Sequence, residues 1–141
     1  VIFKDMVEKR LTSLSELQKT NLHKIRFGNI YLVLNKLIPQ FAKTVKDLDK
    51  RHPSLTVSSC NTDGFSILSP GTKVKQGKTN KVVEIEPGEN SGLSYKTNFI
   101  LKYRFLLSEK TMRNREEVIF KGRPTPSEIS EINYKISYRK T

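Results

Sequence analysis

The chain has 141 residues, 35% of them apolar, and carries 26 Lys and Arg against 14 Asp and Glu, a net charge of +12. Its one cysteine, Cys60, excludes an internal disulfide and a thiolate metal cluster, and no apolar run approaches the roughly 18 residues of a membrane span. The charge lies in two blocks, 11 basic and 5 acidic groups in residues 1–53 and again in 91–141, with 4 and 4 between them; such a field draws polyanions: nucleic acid, anionic lipid or an acidic protein face.

In chain order, the first third reads as helix. Phe3, Val7, Leu11 and Leu14 recur at spacings of three and four, and Ser13 with Glu16 matches a capping box. Ile30, Val33, Leu34, Leu37, Ile38, Phe41, Val45 and Leu48 then hold one helical face for about five turns. Pro39 lies off that stripe, so a kink is expected there, and His52-Pro53 ends the element.

The remainder reads as strands and turns. Leu55, Val57 and Ser59 alternate with polar neighbours, and Asp63-Gly64 signals a hairpin that returns through Phe65 and Ile67. Residues 70–80 form a polar loop. Within it, Gln76-Gly77-Lys78-Thr79 has the look of a phosphate loop but lacks the upstream glycine at the required distance. Val83 and Ile85 mark a strand, and residues 87–92 a turn. Tyr95 to Leu107 alternates over its whole length and is the strongest strand signal; Val118 and Phe120 mark a short one. Thr125 and Glu128 can cap a helical turn with Pro126 at its first position, before a last strand carrying Ile132, Tyr134, Ile136 and Tyr138.

The expected fold is therefore α+β within one domain, 1–141. A long kinked N-terminal helix, or two helices, over residues 1–52 packs on a four- to six-stranded antiparallel sheet over 53–141. Tyr95, Tyr103, Tyr134 and Tyr138 are expected on the covered face of that sheet. Lys96, Lys102, Arg104, Lys135 and Arg139 are expected on the solvated face, with Lys73, Lys75, Lys78 and Lys81 on a basic loop beside it. These nine are the candidate polyanion-binding residues.

No catalytic, cofactor or metal set is assigned. His23 and His52 are the only histidines, and no ligand cluster at zinc spacing exists. Both read as surface or helix-end histidines. A nuclease reading would use them as acid and base.

Two patches carry a resemblance to a known family. Asn29 to Leu48 looks like the amphipathic half of a pilin helix. Lys102 to Glu116 looks like a hairpin with a Tyr-containing strand and a following Met-Arg, with Ile129 to Tyr138 as a closing strand. In this the chain resembles the type IV pilin-like proteins, the minor pilins and the J-type minor pseudopilins of type II secretion. The chain opens Val1-Ile2-Phe3, which reads as a soluble domain trimmed of its hydrophobic segment. The resemblance implies a non-enzymatic assembly subunit of the cell envelope or exterior, contacting other protein subunits, with no cofactor and no small-molecule substrate. Two other classes stay open: a cytoplasmic nucleic-acid-binding protein that contacts the DNA or RNA backbone, and a small nuclease or toxin domain.

Overall fold

A computed structural model describes residues 23–43, 47–58, 63–74 and 81–137. They form a mostly antiparallel β-structure of seven strands with three short α-helices and one 3-10 turn. The strands are β1 (Ile30–Leu34), β2 (Arg51–Ser58), β3 (Phe65–Thr72), β4 (Val82–Ile85), β5 (Thr97–Ile100), β6 (Phe105–Ser108) and β7 (Val118–Gly122). The helices are α1 (Pro39–Ala42), α2 (Glu109–Arg113) and α3 (Pro126–Ser137). The strand order is β4-β5-β3-β2-β1-β7, and β6 joins β3 as well.

The long helix expected over the first third is overturned wherever it can be followed. Ile30–Leu34 is a central strand between β2 and β7. Its five consecutive residues, Ile-Tyr-Leu-Val-Leu, are nearly all buried. A short apolar run covered on both sides has no alternation to show, so it mimics a helical stripe. Among the described residues of this stretch, helix survives in the 3-10 turn Asn35–Leu37 and in α1, where Pro39 is the first residue rather than a kink. The predicted helix before residue 23 lies outside the described residues.

Two further expectations are corrected. Residues 95–107 are not one strand. Residues 101–104 turn out of the sheet, with Tyr103 N–H donating to the Ile100 carbonyl (3.1 Å). This lets β5 pair with the end of β3 and β6 with its beginning. The supposed last strand is helix α3. Thr125 and Glu128 cap it reciprocally: Glu128 N–H donates to Thr125 Oγ1 (3.2 Å), and Thr125 N–H donates to Glu128 Oε1 (3.0 Å). The helix buries Ile132 and half-buries Ile129 and Ile136, while Tyr134 is 64% exposed.

Two cores lie on opposite faces of the β-structure. One gathers Tyr31, Val33, Leu68, Phe105, Leu107 and Val118. The other gathers Ile30, Leu55, Val83, Phe99, Leu101 and Ile132 of α3. Tyr103 and Tyr134, expected inside, are exposed, Tyr95 is half-buried, and Tyr138 lies outside the described residues; among the described residues the fully buried tyrosine is Tyr31. The strand at Val83–Ile85 and the short strand after Val118 form as the sequence predicts. β3 returns antiparallel to β2 from Phe65, and Gly64 before it takes a positive φ; the residues 59–62 that would close a two-residue hairpin lie outside the described residues.

Candidate functional site

The antiparallel pairings align one polar row across the β-structure. Val33 of β1 pairs with His52 of β2. The β2–β3 register runs Ser54 to Pro70; continued by two residues it sets His52 opposite Thr72. Thr72 pairs with Asn98 of β5, and Asn98 with Glu84 of β4. Directly opposed residues point to the same face and stand about 4.5–5.5 Å apart at Cβ. His52, Thr72, Asn98 and Glu84 therefore form a row on one face. Ser54 and Thr56 follow on that face of β2, fully buried, their hydroxyls without a hydrogen-bond partner among the described residues. Asn98 is likewise buried, its Oδ1 unpartnered.

His52 is held by the segment between β1 and β2. Asn35, 3% exposed, opens the 3-10 turn that follows β1. Its amide nitrogen donates to the Asp47 carbonyl (2.8 Å), which turns its Oδ1 toward His52 Nδ1. An amide oxygen only accepts, so this contact puts the imidazole hydrogen on Nδ1 and leaves the lone pair on Nε2. Phe41 of α1 packs on the ring at 4.6 Å between centroids. Burial pushes the His52 pKa below its ordinary value. The imidazole is thus neutral near pH 7 and oriented, with a basic nitrogen to offer.

Across the strand pair, Val74 N–H donates to Thr72 Oγ1 (3.2 Å), so the hydroxyl hydrogen is left to donate elsewhere. Gln40 of α1 donates to the Arg104 carbonyl (3.3 Å), tying the helix to the 101–104 turn. An acceptor of protons beside hydroxyl and amide donors is the arrangement that general-base chemistry on a phosphate ester needs.

His23 is not part of this row. Its Nε2 meets the Tyr31 hydroxyl (2.8 Å), which accepts from Asn29 Nδ2 (3.2 Å), and its ring stacks on Phe120 at 4.0 Å. Burial first, then the Arg113 charge, lowers its pKa. It reads as a packing histidine.

The candidate polyanion residues scatter. Lys73 lies 4.5 Å above the Tyr95 ring and Lys102 lies 5.2 Å above the Tyr103 ring. Lys96 pairs with Glu86 (3.3 Å) and Glu84 (3.9 Å). Lys81 precedes β4, and Arg104 Nε donates to the Leu101 carbonyl (3.2 Å). Lys135 sits on α3, not on a strand, and is engaged by Glu131 (3.1 Å) and the Val82 carbonyl (2.8 Å). Lys75, Lys78 and Arg139 lie outside the described residues, as does Cys60. Sequence reasoning missed Asn35, Thr72 and Asn98 and read His52 as a helix-end residue. The signal was present: a hairpin at Asp63-Gly64 with a strand running back to residue 51 brings His52 onto the sheet.

No family model matches the sequence, and no curated protein matches it. The fold is similar to solved structures from Deinococcus radiodurans. A MazE–MazF complex (form II) superposes at a TM-score of 0.53 with 15% identity, covering 81% of this chain and 93% of that one. A second MazE–MazF complex (form III) gives 0.52 at 15% identity, with the same coverage. MazF alone (form I) gives 0.51 at 13% identity, covering 81% of this chain and 94% of that one. The chain therefore has a MazF-like fold. This overturns the pilin resemblance and, with it, the secretion or pilus-assembly role and the expectation that the chain is no enzyme.

Proposed function

We propose that the chain is a small toxin-type nuclease domain that cuts RNA, with His52 as the proton acceptor. The MazF-like fold supports this class. The observation that carries the site is the neutral His52, held by Asn35 at Nδ1 and one strand away from Thr72. RNA brings its own nucleophile. His52 Nε2 takes the proton of a ribose 2′-hydroxyl, and that oxygen attacks the adjacent phosphorus. The bond from phosphorus to the 5′ oxygen breaks, giving a 2′,3′-cyclic phosphate. The departing oxygen receives a proton and becomes a 5′-hydroxyl, and the imidazolium is the proton's source. Thr72 and the Asn98 amide donate to the phosphoryl oxygens as charge builds on them.

Lys73, Lys75, Lys78, Lys81, Lys102, Arg104 and Arg139 hold neighbouring phosphates in this reading, and so do Lys96 and Lys135 where their ion pairs exchange for phosphate. We further propose a protein partner that docks on this chain as MazE does on MazF in the solved complexes.

The test is cleavage of an RNA oligonucleotide beside a DNA oligonucleotide of the same sequence. Wild type should cut the RNA and spare the DNA, which has no 2′-hydroxyl. His52→Ala should slow cleavage by about 100-fold or more, the scale of a lost general base. RNA left intact by the wild type, or cut equally fast by His52→Ala, rules the proposal out.

A further inference from the structure

On the face opposite the His52 row, β1, β2 and β7 and the loop before β5 enclose a pocket of about 200 Å³. Leu32 and Pro53, paired across β1 and β2, form its floor. Arg51 and Lys121 bring two positive charges, and Tyr95 stands in the loop wall with Lys73 over its ring. No carboxylate among the described residues lines it. Neither cation has an ion-pair partner among the described residues. Arg51 is anchored through Nη2 to the Glu116 carbonyl, and its Nε is buried without a partner. Two uncompensated charges in a concave, partly desolvated site favour an anion.

The wall is built in advance. Arg123 N–H donates to the Asn90 carbonyl (2.8 Å), Gly92 N–H to the Gly88 carbonyl (2.9 Å) and Ser91 Oγ–H to the Glu86 carbonyl (2.9 Å). Gly92, at φ +71°, lies so close to β7 that a Cβ would fall 2.1 Å from the Lys121 carbonyl oxygen. Such a site loses little entropy in ordering itself around a ligand.

We infer that this pocket binds one nucleoside monophosphate unit, its phosphate between Arg51 and Lys121 and its ring system against Tyr95. The planar guanidinium and the ammonium match phosphate oxygens, and an aromatic wall accepts a base face. The unit is either a free nucleotide or one residue of an RNA strand. The inference does not rest on cleavage.

The experiment titrates adenosine 5′-monophosphate, adenosine and inorganic phosphate into the intact chain by calorimetry. The monophosphate should bind at least about tenfold more tightly than adenosine or phosphate alone, the factor expected of one charge-assisted contact. Lys121→Met and Arg51→Met should each weaken it by about tenfold, and Tyr95→Leu by less. His52→Ala should leave it unchanged, which separates this site from the nuclease row. Displacement by a short 2′-O-methyl oligoribonucleotide identifies RNA as the source; no displacement identifies the free nucleotide. The inference is overturned if Lys121→Met, with an unchanged melting temperature, binds the monophosphate as wild type does. It is equally overturned if phosphate alone binds as tightly as the nucleotide, or if nothing binds.

Discussion

At the scale of single residues, the decisive feature is a neutral histidine oriented by an uncharged partner. Asn35 fixes the His52 tautomer without adding a charge that would raise its basicity. Asn35→Asp would place a carboxylate against Nδ1, an opposite charge that typically raises a pKa by about one to three units. The acidic limb of the cleavage rate against pH should then move upward by a comparable amount while the DNA control stays uncut. An unmoved limb would deny His52 the part of the titrating base. Stability should follow the same groups. His23 and His52 both have folded pKa values below the ordinary 6.5, so the unfolded chain binds protons more readily than the folded one. The stability difference is fully present above about 6.5 and is lost as pH falls from there through the folded values. Urea midpoints measured from pH 8 down to 5 should drop across that range, and His52→Gln should flatten the slope.

At the scale of elements, what could be read from sequence depended on whether a pattern had one interpretation. Val83–Ile85 and the capping box at Thr125 each state a local geometry through alternation or paired side chains, and each forms; Asp63-Gly64 marks where the chain enters β3, which returns antiparallel to β2. Ile30–Leu34 does not, because a strand covered on both faces erases the alternation that would distinguish it from helix. Ile132, Tyr134 and Ile136 fit strand spacing while Ile129, Ile132 and Ile136 fit helix spacing; the cap just before them decides for helix. The His52 row was illegible for a related reason. Its members come from four strands, and only the register brings them side by side. Two substitutions test the elements. Thr125→Ala, removing one half of the reciprocal cap of α3, should cost about 1 kcal/mol of unfolding free energy. Gly71→Ala should cost about 1–3 kcal/mol as an overpacking change, because its Cβ would stand 2.6 Å from Thr97 Cγ2 and 2.8 Å from the Phe99 ring. Chemical denaturation reads both.

At the scale of the whole molecule, the +12 charge is a field rather than a site. Affinity for a catalytically inert RNA should fall steeply between 50 and 200 mM salt, with a log–log slope that counts the phosphates neutralised. A flat dependence would leave the charge with no part in binding. The β3 strand has a separate effect on how the molecule comes apart. It pairs with β2 along one edge, while β6 and β5 divide the other edge between its beginning and its end. Neither half can be peeled away without disturbing its central strand, and the β3–β5 and β3–β6 contacts join segments distant in the chain. The amides of Leu68, Ser69 and Gly71 should therefore exchange with deuterium only through global opening, at one shared free energy, and refolding should run on the slow, millisecond-to-second scale of non-local β pairings.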